Sequence, residues 1–186
     1  MRDEGQLVLA ISGRIGAGKS SLAAELHKLL GWPRASFGEF VRAEANRRQL
    51  VESRENLQDL GAELITTLGW PEFCARTLAA VGLGANSVPC VVEGVRHVDA
   101  LTALRDFFAP VPVYLVHVEV PDEQRAQRMA SEGIDSRQAE GWAQHSTERD
   151  VAHALPAAAD VRVATAGTVE EAVRVVSDWL ESGSSG

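Results

Sequence analysis

Residues 13–20 read Gly-Arg-Ile-Gly-Ala-Gly-Lys-Ser and match the pattern G-x-x-x-x-G-K-[ST] without a gap. The apolar run at residues 7–11 precedes them and predicts a strand that is buried on both faces. Leucines at helical spacing follow, from Leu22 to Leu30, and predict an amphipathic helix. A glycine-rich turn between a buried strand and a helix is the setting of a phosphate-binding P-loop, so this stretch predicts a nucleotide site in an α/β fold.

Each part of the motif has a physical role in holding phosphate groups. Glycines let backbone N–H groups turn toward the anion, and the positive end of the following helix dipole faces the same place. Lys19 is expected to reach the β- and γ-phosphates and the Ser20 hydroxyl to ligate Mg²⁺, which makes ATP and Mg²⁺ the expected cofactors. The residues predicted to contact the nucleotide are Gly13, Gly16, Ala17, Gly18, Lys19, Ser20 and Ser21.

Further apolar runs continue the alternation of strand and helix. Residues 88–92, 111–120 and 160–165 predict further strands, and the segments between them carry helical periodicity. This alternation is typical of a parallel sheet with helices on both faces. We therefore expect a three-layer α/β P-loop fold with about five parallel strands in a single domain.

The composition excludes several classes of protein. The chain of 186 residues is 45% hydrophobic and has 18 basic and 26 acidic residues, a net charge of −8, which disfavours disorder and a broad nucleic-acid surface. No apolar run approaches the ~18 residues of a membrane span. Two cysteines and five histidines without metal spacing offer neither a disulfide framework nor a zinc site. We expect a cytoplasmic monomer or homodimer with no membrane partner.

The basic residues are almost all arginines, since only Lys19 and Lys28 are lysines. Arginine binds phosphate in a bidentate manner, so the positions of the arginines matter. Glu93 and Arg96 follow the predicted strand at 88–92, at the end of the strand where open α/β sheets bind their ligands. Glu93 is a candidate to hold Mg²⁺, directly or through water, or to orient an acceptor, and Arg96 is a candidate to clamp a phosphate group.

The order of these motifs resembles that of the nucleoside monophosphate kinase family, of which adenylate kinase is the familiar member. Residues 38–42, Gly-Glu-Phe-Val-Arg, are similar to the family's Gly-Asp-x-x-Arg, and residues 93–96, Glu-Gly-Val-Arg, are similar to its Asp-Gly-x-Pro-Arg. Glutamate replaces aspartate in both segments, and the proline is absent from the second. The resemblance implies that Arg42 grips the phosphate of an acceptor, with Gly38 and Arg96 as further acceptor-binding residues.

Two arginines lie where the family has a helix before its lid. Arg125 and Arg128 are three residues apart and therefore share one face of a predicted helix. The resemblance implies that they stabilise the charge on the transferring phosphoryl group. They join Lys19 and Glu93 as the predicted catalytic residues.

The resemblance also implies how the chain is divided. Arg54 in a helical insertion and Arg137 in a lid are further candidates for acceptor binding. His145 and Glu148, also in the lid, either belong to the site or form a polar surface pair. The expected divisions are one P-loop kinase domain over residues 1–181, an acceptor-binding insertion at about 36–82, a lid at about 131–150 and a flexible tail at 182–186.

The P-loop is equally similar to that of dephospho-coenzyme A kinase. Residues 36–38, 54–57, 93–96 and 145–148 together resemble small bacterial and archaeal P-loop kinase-like proteins. No Asn-Lys-x-Asp run supports a guanine-specific switch, and the chain is small for a ring-forming AAA machine.

Three functions remain open on these grounds. The favoured one is a kinase that transfers the γ-phosphoryl group of Mg-ATP to a nucleoside monophosphate or a similar phosphorylated small molecule, because Arg42 and Arg96 offer cations to the acceptor. A kinase acting on a hydroxyl group, like dephospho-coenzyme A kinase, is the second, with Glu39 as the nearest acid after the second strand. An ATP-binding regulatory module without an acceptor is the third.

Overall fold

A five-stranded, wholly parallel sheet forms the centre of the computed structural model, which describes residues 6–131, 150–164 and 168–182. The strands are ordered β2-β3-β1-β4-β5 across the sheet, so each connection crosses over one face through a helix. Their bounds are β1 Val8–Gly13, β2 Arg34–Ser36, β3 Cys90–Val95, β4 Val113–Glu119 and β5 Val161–Ala164.

Helices connect and cover these strands. The helix predicted to follow the P-loop is present. Among the described residues, no helix is both long enough and apolar enough to cross a membrane. In those parts the helices are α1 Lys19–Leu30, α2 Phe37–Arg47, α3 Arg54–Ala79, α4 Val98–Phe108, α5 Asp122–Ser131, α6 Ala154–Ala157 and α7 Val169–Ser182.

The sheet is buried on both faces because successive residues of β1 enter opposite layers. Val8 and Ala10 pack in a core that includes side chains of α2, α3 and α4. Leu9 and Ile11 pack in a second core with side chains of α1 and α7. A continuous apolar strand is what two buried faces require, and the predicted three-layer α/β fold with five strands is confirmed.

Three local features add detail to what the sequence pattern indicates. The three-residue strand β2 carries no apolar run, so no local pattern predicts its bounds. The second helix begins at Phe37, where the Ser36 hydroxyl accepts a hydrogen bond from the N–H of Glu39 at 3.3 Å and caps the helix. Leucines at helical spacing up to Leu68 and a proline at residue 71 predict two helices here, and the structure agrees, because Gly69 with its non-helical φ of 72° and ψ of 162° divides α3 into two helical segments at a kink.

The strand register positions the functional residues. Ile11 of β1 and Ser36 of β2 both pair with Glu93, so this glutamate lies in β3 between the P-loop strand and the strand that leads into α2. The β1–β3 register shifts just after Ile11, next to Gly94, whose φ is 86°. The carboxyl ends of β1, β2 and β3 therefore meet at one edge of the sheet, as expected for a ligand site.

Candidate functional site

The P-loop has the backbone conformation that its glycines were expected to provide. Gly13, Gly16 and Gly18 have φ values of 150°, 76° and 89°, a region that favours glycine. A Cβ atom at Gly13 would lie 2.6 Å from the carbonyl oxygen of Val118, so the loop also needs the missing side chain. The Lys19 ammonium group donates a hydrogen bond to the carbonyl oxygen of Arg14 at 2.7 Å, which holds this buried lysine against its own loop.

Helix α5 packs over the P-loop, as the predicted roles of its two arginines require. A Cβ atom at Gly16 would lie 3.4 Å from Cγ of Arg125, and one at Gly18 would lie 3.4 Å from Nη1 of Arg128. Asp122, at the start of α5, accepts hydrogen bonds from Arg14 at 2.7 Å and from Arg125 at 3.3 Å. The Arg14 charge lowers the pKa of Asp122, so this ion pair joins the helix to the loop.

A cavity of about 570 Å³ extends from the P-loop to α2, α3 and the start of α4. Its size suits a small ligand, and it is lined by side chains from separate parts of the sequence. Of the predicted site residues, the cavity is lined by Gly16, Gly18, Lys19, Ser20, Ser21, Gly38, Arg42, Arg54, Glu93 and Arg96.

The remaining predicted residues lie elsewhere. Gly13 and Ala17 are buried in the P-loop behind the cavity surface. Arg125 and Arg128 contact the loop from α5, and neither is among the described residues that line the cavity. Arg137, His145 and Glu148 fall outside the described residues, as does most of the predicted lid.

Glu93 is the buried carboxylate of the cavity, with only 3% of the residue exposed. Its Oε1 accepts a hydrogen bond from Nη1 of Arg34 at 2.6 Å. The other terminal nitrogen of Arg34, Nη2, donates to Oε1 of Glu39 at 2.5 Å. One guanidinium thus holds two carboxylates of the cavity. Arg34 was not among the predicted site residues, because its sequence signal is only that of a basic residue shortly before the segment that resembles the acceptor motif.

Three arginines approach the cavity from three parts of the fold. Arg42 comes from α2, Arg54 is the first residue of α3, and Arg96 follows β3. Arg42 also donates a hydrogen bond to Glu52 at 2.7 Å, and both side chains are about half exposed. Such an exposed pair is weak and can exchange for an anionic ligand.

An aromatic wall, Phe37, Trp70 and Phe73, lines the same cavity. The rings of Phe37 and Phe73 are stacked with centroids 5.4 Å apart, and the Trp70 ring meets Phe73 edge-on at 6.0 Å. His97 lies beside this wall, with its ring 4.9 Å from that of Trp70. The sequence analysis did not assign the wall to the site, because its members meet only through the packing of α2 against α3.

Asp150, the last residue of the predicted lid, contacts the chain beside this wall. Its Oδ2 accepts a hydrogen bond from the N–H of Val98 at 3.1 Å and lies 3.6 Å from Nδ1 of His97. Burial lowers the pKa of His97, against the opposing effect of the Asp150 and Asp99 charges. The end of the predicted lid is therefore anchored next to the cavity.

The described residues contain no cluster of three or more histidine, cysteine, aspartate or glutamate side chains that could hold a metal ion. Ser20 and Glu93 line the same cavity and supply hard oxygen donors. Mg²⁺ is commonly bound through one or two protein oxygens together with substrate phosphates, so these residues fit the ion that the P-loop implies.

Comparison with other proteins shows the family and the fold of the chain. A family model described as AAA domain matches residues 9–151. A UPF0200 protein of Thermococcus kodakarensis is 30% identical over 128 residues, which make up 68% of this chain and 69% of that protein. A UPF0200 protein of Methanothrix thermoacetophila is 30% identical over 186 residues, covering 93% of this chain and 97% of its own.

Solved structures share the fold. A gluconokinase from Sinorhizobium meliloti 1021 superposes with a TM-score of 0.62 at 19% identity, over 97% of this chain and 94% of that one. A shikimate kinase from Aquifex aeolicus gives a TM-score of 0.57 at 15% identity, over 97% and 99%. Identities this low establish the fold alone, which is that of small P-loop kinases. The expected resemblance to P-loop proteins with a kinase-like fold is confirmed, and the chain belongs to the family that the AAA-domain model describes and to the UPF0200 proteins.

Proposed function

We propose that the protein is an ATP-dependent kinase that transfers the γ-phosphoryl group of Mg-ATP to a small phosphorylated acceptor, such as a nucleoside monophosphate. The observation that carries this proposal is the shared cavity, which joins Lys19 and Ser20 of the P-loop to Arg42, Arg54 and Arg96. Two clusters of phosphate-binding groups in one cavity allow donor and acceptor to be held together, and that positioning is the main source of acceleration in phosphoryl transfer.

On the nucleotide side, the P-loop backbone and Lys19 would bind the triphosphate. The Lys19 ammonium group would exchange the Arg14 carbonyl for phosphate oxygens, which are stronger acceptors for a charged donor. Arg125 and Arg128 lie against the loop from α5. Their charges would stabilise the negative charge that spreads over the transferring group.

Ser20 and Glu93 are the residues that would hold Mg²⁺, the Ser20 hydroxyl directly and the Glu93 carboxylate directly or through water. When bound, the ion supplies neutralisation of charge on the β- and γ-phosphate oxygens. Glu93 keeps a second carboxylate oxygen for this task while Oε1 accepts from Arg34.

On the acceptor side, the arginines would bind an anionic group, and the aromatic wall would contact a planar ring of the acceptor. Gln58 lines the cavity next to Leu57, and its buried Nε2 has no hydrogen-bond acceptor among the described residues. A carbonyl oxygen or a ring nitrogen of a flat heterocycle is the kind of group that satisfies such a donor. These features favour a nucleotide over a polyol.

A hydroxyl group on a sugar acid or a related compound is the second candidate acceptor. Two carboxylates, Glu39 and Glu93, line the cavity, and either would suit the removal of a proton from a hydroxyl. The similar structures named gluconokinase and shikimate kinase support this class by fold analogy alone.

The test is ADP formation from ATP and Mg²⁺ in the presence of a panel of candidate acceptors. The panel contains nucleoside monophosphates, gluconate, shikimate and dephospho-coenzyme A. We expect stimulation by at least one nucleoside monophosphate, and loss of that stimulation in Lys19→Ala. Stimulation by gluconate, shikimate or dephospho-coenzyme A, without stimulation by any nucleoside monophosphate, would favour the second candidate. A slow rate that no acceptor changes would favour a regulatory nucleotide-binding module and would contradict the proposal.

A further inference from the structure

We propose that Arg34 is a positioning residue that fixes the two carboxylates of the cavity, Glu93 and Glu39, in one arrangement, a role that rests on the proposed function. The guanidinium joins three elements, because Arg34 begins β2, Glu93 lies in β3 and Glu39 lies in α2. Its two terminal nitrogens donate to different carboxylates, at 2.6 Å to Glu93 and at 2.5 Å to Glu39.

The location of Arg34 indicates support rather than direct contact with a ligand. Glu93 and Glu39 are among the residues lining the cavity, whereas Arg34 is not among the described residues that do so. Its side chain is 23% exposed and its guanidinium is bonded to both carboxylates. A ligand in the cavity would meet the glutamates, and Arg34 would act through them.

The chemistry of the guanidinium suits this role. It is planar, always charged and presents its donors in a fixed fork, so two carboxylates bound to it keep a defined separation. The Glu93 side chain is only 4% exposed, and a buried carboxylate is costly without a cation beside it. Arg34 therefore both compensates the Glu93 charge and sets the direction of its other oxygen.

This arrangement separates Arg34 from the three cavity arginines. Arg42, Arg54 and Arg96 line the cavity and have been proposed to bind the acceptor. Arg34 is committed to two protein carboxylates, so we do not assign it an acceptor contact. Its loss should disturb the Mg²⁺-dependent and catalytic properties that depend on Glu93 more than the binding of nucleotide by the P-loop.

The test compares Arg34→Gln, Arg34→Lys and Arg34→Gln/Glu93→Gln with the wild type. Arg76→Gln is the matched control, because Arg76 makes a 2.7 Å ion pair with Glu72 on the exposed side of α3. Three quantities are measured: the midpoint of urea unfolding without ligand, the affinity for ATP with and without Mg²⁺, and turnover with the best acceptor.

We expect Arg34→Gln to unfold at a lower urea concentration and the double variant to recover part of that loss, because the buried Glu93 charge is then removed. The gain in ATP affinity on adding Mg²⁺, and kcat, should both fall by about tenfold in Arg34→Gln. Affinity for Mg²⁺-free ATP should change less than about twofold, since the P-loop is intact. Arg34→Lys should give values between those of Arg34→Gln and the wild type, because lysine keeps the positive charge but lacks the planar pair of donor nitrogens.

The outcomes separate this role from the proposed function. Wild-type Mg²⁺ dependence and wild-type kcat in Arg34→Gln, with only reduced stability, would overturn the positioning role. A wild type without acceptor-dependent turnover would overturn the proposed function. In that case the Mg²⁺-dependent gain in ATP affinity, which needs no turnover, still decides whether Arg34 positions Glu93.

Discussion

The hydroxyl of Ser12 lies 2.7 Å from Nδ1 of His117, and the two buried residues are register partners on β1 and β4. Ser12 immediately precedes Gly13, so this hydrogen bond fixes the strand from which the P-loop departs. Burial lowers the pKa of His117, the Lys19 and Arg162 charges act in the same direction, and Glu119 opposes them. A neutral imidazole is therefore part of the support of the loop.

This buried histidine should make stability depend on pH. The unfolded chain takes up a proton at the ordinary histidine pKa of 6.5, whereas folded His117 does so only at lower pH. The stability that neutral His117 contributes is thus present above that value and is lost as the pH falls through the folded pKa.

We expect His117→Gln to lower the free energy of unfolding by about 1–2 kcal/mol at pH 8. Between pH 8 and about pH 5.5, the free energy of unfolding should fall less for this variant than for the wild type. Urea unfolding at a series of pH values measures both effects. The residual decline should include His97, whose pKa is also lowered by burial. His153→Gln, at an exposed position, is the control and should keep the wild-type profile. Parallel profiles for His117→Gln and wild type would show that His117 does not cause the pH dependence.

Gly13 should tolerate no side chain. A Cβ atom there would lie 2.6 Å from the Val118 carbonyl oxygen, and backbone atoms of two central strands cannot easily separate. We expect Gly13→Ala to cost about 2 kcal/mol or more and to abolish ATP binding in titration calorimetry. Gly84→Ala is the control, because a Cβ atom there meets nothing within 4 Å. Normal ATP affinity in a folded Gly13→Ala would contradict the tight packing of the loop.

The α5 arginines should matter for the chemical step. Arg128 lies beside Gly18 and Arg125 beside Gly16, close to where the transferring group would lie. We expect Arg128→Ala to reduce kcat at least about 100-fold while changing the affinity for ATP much less. Arg174→Ala, exposed on α7, should leave both quantities unchanged. An equal loss of ATP affinity and kcat would make Arg128 a nucleotide-binding residue instead.

Arg96 should act on the acceptor. It lines the cavity just after β3, and Glu93 lines the same cavity. Loss of its charged hydrogen bonds in Arg96→Ala should raise the acceptor KM by about tenfold or more, with the ATP affinity within about twofold of wild type. Steady-state kinetics with each substrate varied in turn separates the two effects. If both affinities fell together, Arg96 would be structural or would belong to the ATP site.

The parts of the fold that have their own sequence pattern could be predicted. The P-loop combines a motif with a flanking strand and helix, so its position and conformation could be predicted. The strand of Arg34 is three residues long and begins with a charged residue. Its relation to Glu93 depends on strand order and register, which no local pattern encodes.

The acceptor side of the cavity was predictable only in part. Arg42 and Arg96 were found by similarity to a family's motifs, and both line the cavity. Trp70 and Phe73 were not assigned to the site, because the kink at Gly69 and the packing of α3 against α2 bring them there. When a side chain reaches a site only through tertiary packing, the spacing of residues in the sequence does not reveal its role there.

The proposed reaction transfers a phosphoryl group from ATP to a phosphorylated small molecule in the cavity next to Lys19. Phosphorus NMR of ATP, Mg²⁺ and the most stimulating acceptor tests it most directly, because it distinguishes transfer from hydrolysis. We predict a new phosphorylated product that appears in step with ADP for the wild type and is absent for Lys19→Ala. Inorganic phosphate as the only new species, or equal product formation by Lys19→Ala, would contradict the claim.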